Sequence, residues 1–342
     1  MSQNFERSKR YKICIVKLSA MGDIIHAMVA LQFIKKTFPN AQIDWIVEEG
    51  FKSVLENNPD IDTILPINLK SIKKNKKEIF SQIKLLNNYG KNNYDIVIDA
   101  QGLLKSAIAA KIVGGRIVNS KIIGFDKDSI RESLSSFFYD ETVHIPYEKN
   151  VIERNIKILC SALDITVSKK DILNKKKFLY HRSKLKIDAR NFITFVIGAS
   201  KENKIYPKEK FLELAIQLNE KVLVVWGNEE EYQTALWLSE QSDLILLDKK
   251  GNLEDLKQKI QNSKLVIGGD TGPTHMAWAL NVASITIFGN TPEYRNTYIT
   301  DINKVIKSNS EVNPLKIDKN DFSIKDINVD EIVEVARGLL DD

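Results

Sequence analysis

The chain has 342 residues, of which 43% are hydrophobic and 28% charged, with a formal net charge of +5. This composition excludes a disordered protein, and the length predicts two domains that can each bury a core. No apolar run approaches the ~20 residues of a membrane-spanning helix, and residues 1–10 lack the apolar core of a signal peptide, so we expect a cytoplasmic location.

Runs rich in Ile and Val alternate with segments of helical spacing in the first half of the chain. Residues 12–18 are typical of a strand buried on both faces, and a helix is predicted directly after it, over 23–38. Further strands are predicted at 42–47, 63–67 and 94–99, and further helices at 77–86, 103–112 and 150–163. Such alternation predicts a parallel sheet with helices on both faces.

The composition changes between residues 165 and 190, where Lys and Ser are frequent, and we interpret 166–190 as a linker region. Strands are then predicted at 192–197, 221–226, 244–247, 264–267 and 284–288, and helices at 208–218, 229–239, 253–262, 273–280 and 329–340. The fold class is therefore α/β, with two Rossmann-like, doubly wound domains, 1–165 and 191–325, that face a cleft. Because ligands of open α/β sheets bind beyond the carboxyl ends of the strands, the functional loops should follow strands.

The loop after the first predicted strand contains Gly22 and Asp23 but lacks the Gly-x-Gly-x-x-Gly fingerprint, which argues against a conventional NAD enzyme. Asp23 stands at a predicted helix start. One interpretation is that Asp23 is simply a helix N-cap, since Asp is favoured there. The other is that it is a carboxylate at the mouth of the cleft and serves as a general base.

Residues 268–275 form the most informative loop. Pro273 suits the first turn of a helix, where its missing N–H costs nothing, and the free N–H groups of that turn form an anion site. Thr271 adds a hydroxyl donor and His275 lies within the first turn. A tight turn with a well-capped helix is the alternative, but a diphosphate site explains this run of small and polar residues better.

Two further loops carry candidate ligands of a nucleotide. After the strand at 192–197, Ser200 is placed to hydrogen-bond a phosphate and Lys204 to neutralise a diphosphate leaving group. After the strand ending at Trp226, one carboxylate of residues 229–231 is placed to accept hydrogen bonds from a ribose. The alternatives are a charged surface loop in the first case and acidic residues favoured by the helix dipole in the second.

Four segments together resemble the lipopolysaccharide heptosyltransferases, glycosyltransferase family 9. They are residues 16–23 (VKLSAMGD), 44–50 (DWIVEEG), 99–106 (DAQGLLKS) and 269–272 (GDTG). The resemblance runs over nearly the whole chain. The second and third segments are similar to the branch that adds the first heptose of the inner core and separate the chain from the branch that adds the second.

The resemblance implies a GT-B fold, with the acceptor bound by the first domain, the donor bound by the second, and residues 326–342 returning to the first domain as a helix. It implies ADP-heptose as donor, a Kdo sugar of lipid A as acceptor, and transfer with inversion without an essential metal or other cofactor. It also implies peripheral association with the cytoplasmic, anionic face of the inner membrane.

For the reacting groups and the donor, the resemblance assigns residues one by one. Asp23 is similar to the catalytic base, and Lys204 matches a lysine near the diphosphate. Glu231 is the match to a ribose-binding Glu, with Glu230 one residue away as the alternative. Four further residues match the loop that holds the diphosphate: Asp270, Thr271, Gly272 and His275.

This chain departs from the family at three donor positions. Ser200 replaces a Thr and keeps the hydroxyl. Ala199 replaces a second Thr, so only its backbone can serve. Gly251 falls where the family can show a Met beside the adenine.

On the acceptor side, Arg131 and Arg154 match basic residues expected near the Kdo carboxylate, since an Arg fork suits a carboxylate. Lys105 and Gln101 are weaker candidates. The lysine-rich residues 70–77 are a solvated helix start or a patch that faces an acidic acceptor or anionic lipid.

Other functions remain open from sequence alone. They are a heptosyltransferase with another acceptor, a sugar-nucleotide epimerase of the same architecture, and a non-enzymatic nucleotide- or nucleic-acid-binding module. No nucleic-acid motif or aromatic-interleaved basic surface supports the last, so we expect no nucleic-acid partner.

Overall fold

The computed structural model describes residues 9–115, 120–183 and 192–341, and the chain divides into two compact units, Met1–Phe178 and Leu179–Asp342. The division falls inside the predicted linker, of which residues 184–190 lie outside the described residues. No helix within the described ranges is both long and apolar enough to cross a bilayer.

The first unit contains a six-stranded sheet in which all neighbouring strands are parallel, with the order β3-β2-β1-β4-β5-β6. The strands are β1 (Lys12–Val16), β2 (Gln42–Glu48), β3 (Thr63–Ile67), β4 (Ile96–Asp99), β5 (Lys121–Phe125) and β6 (Glu141–Val143). The central strands β1 and β4 are almost wholly buried, which is why they read as continuous Ile and Val runs rather than as an alternating pattern.

The second unit repeats this design, with the order β12-β11-β10-β7-β8-β9 and parallel pairing throughout. Its strands are β7 (Ile193–Val196), β8 (Val222–Val225), β9 (Ile245–Leu247), β10 (Leu265–Gly269), β11 (Ser284–Phe288) and β12 (Asn303–Lys307). In both sheets the chain moves outward for three strands and then returns to pair its fourth strand with its first. The sites between β1 and β4 and between β7 and β10 are therefore topological switch points.

Three strands were missed in the sequence. β6 has only three residues, and β12 (NKVIK) carries two lysines at the edge of its sheet, so neither shows a strong apolar run. β5 (KIIGF) is an apolar run interrupted by Gly124, whose Cα lies against the ring of Tyr139, where a Cβ would stand only 2.2 Å from a ring carbon.

Helices connect the strands. They are α1 (Met21–Thr37), α2 (Lys52–Leu55), α3 (Ser71–Lys74), α4 (Glu78–Tyr89), α5 (Leu104–Gly114), α6 (Val151–Ser161), α7 (Lys169–Leu173), α8 (Lys208–Leu218), α9 (Glu229–Gln241), α10 (Leu253–Gln261), α11 (Gly272–Leu280), α12 (Glu293–Asn296) and α13 (Val329–Asp341).

The closing helix α13 differs from the expectation. It was expected to return to the first domain, but it belongs to the second unit, where it packs against α8. Its spacing explains this, because Ile332, Val333 and Ala336 lie on one helical face and are buried in the core that also contains Phe211 and Leu214 of α8.

Candidate active site

A buried carboxylate lies at the switch point of the second sheet. Asp270 follows β10 directly, and its side chain is only 7% exposed. Thr271 is the N-cap residue of α11, which has proline in its first turn, as the sequence predicted. The loop therefore joins a buried strand to the amino end of a buried helix.

Four side chains hydrogen-bond to Asp270. Lys204 Nζ lies 2.7 Å from Oδ2, and His275 Nε2 lies 3.0 Å from Oδ1. Thr291 Oγ1 and Asn296 Nδ2 also donate to Oδ2, at 2.9 and 3.1 Å. Because these partners come from the loops after β7 and β11 and from α11 and α12, one carboxylate ties together the carboxyl edge of the sheet.

The charge of Asp270 follows from these contacts. Burial by itself raises the pKa of the carboxyl group, but the hydrogen bond from His275 and the positive charge of Lys204 outweigh burial and hold the pKa well below its usual range. Asp270 is therefore ionised at neutral pH, and the facing Nε2 of His275 must carry the proton of their hydrogen bond.

This geometry refines the roles predicted for the loop. Lys204, Asp270 and His275 are brought together as expected, but an ionised carboxylate repels a phosphate. The hydrogen bonds of Asp270 orient Lys204 and His275, whereas the hydroxyl of Thr271 and the N–H groups of the first turn of α11 are groups that can donate to an anion. Thr271 Oγ1 lies 3.3 Å from Thr274 Oγ1, and the Thr271 side chain does not cap the helix.

The paired glycines at the start of this loop are packed against neighbouring parts of the protein. Gly268 and Gly269 extend β10, and protein atoms fill the space beside them. A Cβ on Gly268 would stand 2.6 Å from Cβ of Val196, and one on Gly269 would stand 2.9 Å from the carbonyl oxygen of Lys204. They permit close packing of β10 against its neighbours rather than the approach of a ligand.

Glu231, not Glu230, faces the turn after β7. Its carboxylate accepts hydrogen bonds from the backbone N–H of Gly227 at 2.7 Å and from Asn228 Nδ2 at 2.9 Å, whereas Glu230 is exposed. A Cβ on Gly198 would stand 2.1 Å from the Glu231 carboxyl carbon. Glu231 therefore lies against the residue that precedes Ala199 and Ser200.

Ala199 is half-buried and Ser200 exposed, immediately beyond β7. Gly251 is exposed beside α10, where a Cβ would meet Asp255 at 3.0 Å. Near it, a cluster that the sequence analysis missed contains the half-buried ring of Trp226, which packs 4.8 Å from the ring of Tyr232 and lies 5.7 Å from Lys250 Nζ. The sequence signal that could have found this cluster is the position of Trp226, because this residue directly follows β8.

In the first unit, Asp23 lies at the switch point, where the loop after β1 leads into α1. α1 begins at Met21 with Ala20 as its N-cap, so Asp23 lies in the first turn rather than at the cap. Its Oδ2 accepts the N–H of Ala20 at 3.2 Å, and no hydrogen bond to Oδ1 forms within the described part of the chain. The half-buried carboxylate thus stabilises the helix start and keeps one oxygen for another proton donor.

Gln101 contacts the loop that leads to Asp23. Its Oε1 accepts the N–H groups of Leu18 and Ser19 at 3.0 and 3.2 Å, so it fixes the loop that leads to Asp23. The N–H of Gln101 in turn donates to Asp99 Oδ1 at 2.8 Å. Gln101 therefore positions the loop of Asp23 through backbone contacts.

Arg154 is also engaged by the protein. Its guanidinium donates to the carbonyl oxygens of Ser129, Ile145 and Pro146 at 2.6, 2.8 and 2.7 Å, and it is 6% exposed. This side chain joins the segment after β5 to the segment after β6 instead of presenting a fork to a carboxylate. Arg131 is exposed, and its guanidinium carbon lies 5.0 Å from the Tyr147 ring that Arg154 also contacts.

Lys105 is exposed near the amino end of α5. Burial raises the pKa of Glu48 at the end of β2, and the charges of Lys105 and Lys70 partly oppose that effect. Lys105 and Glu48 thus lie at the carboxyl edge of the first sheet, on the same edge as Asp23 and Gln101.

Comparison with known proteins decides the family. Residues 82–322 match glycosyltransferase family 9 (heptosyltransferase). Lipopolysaccharide heptosyltransferase 1 of Campylobacter coli is 38% identical, with 97% of this chain and 99% of the relative covered. The chain belongs to the heptosyltransferases of glycosyltransferase family 9. The protein of the same name from Escherichia coli K12 is 30% identical, over 82% of this chain and 88% of its own.

The fold agrees with this membership. The structure of the E. coli heptosyltransferase WaaC with ADP is similar at a TM-score of 0.80, with 24% identity over 96% of this chain and 99% of that one. The same enzyme with ADP-2-deoxy-2-fluoro heptose gives a TM-score of 0.78. The resemblance stated from sequence and the two-domain GT-B fold expected of this heptosyltransferase are therefore confirmed.

The ionisation of Asp270 predicts how stability depends on pH. Because its pKa is lower in the folded chain than in the unfolded chain, its contribution is present above the ordinary Asp range, near about 4, and is lost as the pH falls. We expect Asp270→Asn to reduce the free energy of unfolding by roughly 3 kcal/mol at neutral pH and by less in acid. Urea unfolding over a pH series measures this. The exposed Asp243→Asn is the control, and a pH-independent deficit in Asp270→Asn would contradict the assignment.

The contacts of Gln101 predict a local effect. Gln101→Met removes the acceptor of two backbone N–H groups, each worth about 1 kcal/mol, whereas Gln101→Glu keeps an acceptor oxygen. Hydrogen exchange should accelerate at the Leu18 and Ser19 amides in the Met variant and stay near wild type in the Glu variant. Heptosyl transfer should fall in the Met variant with little change in ADP affinity. Unchanged exchange in both variants would refute the positioning role.

Proposed function

We propose that the enzyme transfers heptose from ADP-heptose to a Kdo sugar of lipid A during synthesis of the lipopolysaccharide inner core. The observation that carries the proposal is the 38% identity, over 97% of the chain, to a protein named lipopolysaccharide heptosyltransferase 1. The site supports it independently, because the second switch point combines a helix start, whose free N–H groups suit an anion, with an oriented lysine.

On this proposal the donor binds to the second unit. The diphosphate lies at the amino end of α11, where Thr271, Gly272 and the free N–H groups meet it and where Lys204 supplies positive charge. His275, fixed by Asp270, lines the same position. Ser200 adds a hydroxyl donor beside the turn that Glu231 contacts, and Ala199 offers only backbone groups.

The nucleoside lies further along the carboxyl edge. Glu231 accepts hydrogen bonds from the ribose diol, exchanging its present contacts with the loop at Gly227 and Asn228. Gly251 offers only backbone to the adenine, so the nearby ring of Trp226 supplies the apolar surface that a larger side chain at Gly251 would give.

The reaction proposed is a single displacement. The acceptor oxygen attacks the anomeric carbon, Asp23 takes the hydroxyl proton, and the bond to the diphosphate breaks with its electrons leaving on ADP. Attack opposite to the leaving group inverts the anomeric centre. Lys204 and the α11 start stabilise the charge that develops on the leaving diphosphate, which is the electrostatic help a bound metal would otherwise give.

The acceptor is anionic, and Arg131 and Lys105 are the exposed cations of the first unit that we propose to meet it. Arg154 contacts the same Tyr147 ring as Arg131, so it helps to hold the ring that Arg131 contacts. On this proposal the enzyme works at the cytoplasmic face of the inner membrane as a peripheral protein, where its lipid-anchored acceptor resides.

The role of Asp23 predicts a selective loss. Asp23→Ala should still bind ADP with near-normal affinity but lose transfer by ~100-fold or more, the usual scale for an acid–base group. Steady-state transfer and ADP calorimetry on the same preparations separate the two effects. Asp128→Ala, at an exposed position, is the matched control. Near-normal turnover in Asp23→Ala would show that Asp23 is not the general base.

The choice between neighbouring glutamates gives a paired prediction. Glu231→Gln should weaken ADP binding about tenfold, since hydrogen bonds to a charged group contribute roughly 1.5–3 kcal/mol, whereas Glu230→Gln should leave it unchanged. Calorimetric titration with ADP measures both. Equal affinities in the two variants would place the ribose elsewhere.

The function itself is tested by incubating ADP-heptose with and without Kdo-lipid A. We expect ADP release and a heptosylated lipid only when the acceptor is present. Equal turnover of the donor without acceptor would instead favour hydrolysis or epimerisation of the nucleotide sugar. ADP binding without transfer to any Kdo acceptor would show that the acceptor is different.

A further inference from the structure

Two side chains at the carboxyl edge of the first sheet form an ion pair that has no part in the proposed transfer step. Asp126 directly follows β5, and His144 directly follows β6. Nδ1 of His144 lies 2.7 Å from Oδ2 of Asp126. Because neighbouring parallel strands end at the same edge of a sheet, the pair lies on the edge that also carries Asp23.

The charge of Asp126 determines which ring nitrogen of His144 is left for a ligand. Oδ1 of Asp126 accepts the hydroxyl of Ser129 at 2.5 Å. Burial by itself raises the pKa of Asp126, but the hydrogen bonds from Ser129 and His144 outweigh burial and lower that pKa. The carboxylate is therefore ionised at neutral pH, so Nδ1 must carry the proton of the shared hydrogen bond. Among the described residues, none hydrogen-bonds to Nε2 of His144.

The ring of His144 is exposed although the loops around it are firmly held. Its side chain is 62% exposed. The buried hydroxyl of Ser129 accepts the N–H of Ile145 at 2.9 Å, and Arg154 donates to backbone carbonyls of the loops after β5 and β6. An exposed ion pair adds little to stability, and these buried contacts already join the two loops. The contact with Asp126 therefore matters mainly because it orients the His144 ring.

The loop after β5 continues to the turn at Gln101. The N–H of Leu104 donates to Glu132 at 2.6 Å, and a Cβ on Gly102 would stand 2.6 Å from Cγ2 of Ile130. Ile130 and Glu132 therefore pack against the turn whose Gln101 side chain holds the loop after β1. The framework that orients the exposed imidazole is thus continuous with the one that positions the candidate base.

We propose that His144, oriented by Asp126, binds an anionic oxygen of the acceptor together with Arg131. Arg131 is exposed on the loop that carries Asp126. A protonated imidazole donates a charge-assisted hydrogen bond from Nε2, and a guanidinium supplies parallel donors, so the combination suits a carboxylate or a phosphate. His144 is then a binding residue and Asp126 a positioning residue. The inference rests on the proposed function, because its ligand is the sugar acceptor.

Substitutions of His144 test the two ring nitrogens separately. His144→Asn keeps a donor near the place of Nδ1 and removes Nε2, whereas His144→Gln keeps a donor near the place of Nε2 and removes Nδ1. At saturating ADP-heptose, His144→Asn should raise KM for the acceptor about tenfold, the scale of one hydrogen bond to a charged group, with kcat nearly unchanged. His144→Gln should stay within about threefold of wild type. ADP affinity should be the same in both variants and in wild type.

Substitutions of Asp126 test the positioning role. Asp126→Ala removes the acceptor of Nδ1 and should raise KM for the acceptor, whereas Asp126→Asn keeps an acceptor oxygen and should restore it. Because Asp126 acts through the ring, Asp126→Ala should raise KM no further when it is combined with His144→Asn. An equal rise with and without His144→Asn would show that Asp126 acts on the loop independently of the ring.

A nearby cation provides the matched control. Lys149 is exposed beyond the same strand, and Lys149→Gln should leave KM for the acceptor unchanged. An equal rise in Lys149→Gln and His144→Asn would show general attraction of an anionic acceptor and would overturn the proposal. A rise in His144→Gln but not in His144→Asn would reduce the ring to a tie between the two loops and would overturn it as well.

Two soluble acceptors identify the anion. One is a deacylated Kdo acceptor with its phosphates, and the other is the same compound after their removal. A KM penalty of His144→Asn on both acceptors assigns the contact to the carboxylate, and a penalty that disappears with the phosphates assigns it to a phosphate. Normal transfer by wild type with no penalty on either acceptor overturns this inference alone. Wild type that transfers heptose to neither acceptor overturns the proposed function, and the inference fails with it.

Discussion

The carboxylate of Asp270 is the contact on which the second unit's site depends. It receives hydrogen bonds from Lys204, His275, Thr291 and Asn296, which belong to separate loops and helices at one edge of the sheet. Without a fixed partner, the long side chain of a lysine would spend most of its time in solvent. Held by a buried anion, it presents its charge at the amino end of α11, so the site is organised before any ligand arrives.

The first unit uses the equivalent position differently. Asp99 ends β4, the fourth strand of its sheet, as Asp270 follows the fourth strand of the second. Asp99 is paired with neutral donors, including Ser106 and Tyr139, and burial therefore raises its pKa, whereas Lys204 and His275 lower that of Asp270. Asp99 fixes a turn by accepting the N–H of Gln101, whereas Asp270 holds the positively charged Lys204.

The sequence predicted the helices, the strands and the functional loops better than it predicted the hydrogen-bond partners of the site residues. Runs of Ile and Val mark buried parallel strands, and the loops that follow them could be found by the carboxyl-edge rule alone. Thr291 and Asn296 could not, because they meet Asp270 from 21 and 26 residues further along the chain, and such pairing leaves no periodic signal. The engagement of Arg154 with backbone carbonyls was hidden for the same reason: residue type indicates which bonds a side chain can form, and only the fold decides which it forms.

The most direct test of this account is a double-mutant cycle on ADP affinity, with Asp270→Asn, Lys204→Met and the double variant measured by calorimetry. If Asp270 acts by holding Lys204, the double variant should bind ADP no more weakly than whichever single variant binds ADP more weakly. The coupling free energy between the two substitutions should then be about 1–3 kcal/mol. Additive losses would show that the two residues act on the ligand independently, which would contradict the central role given to this ion pair.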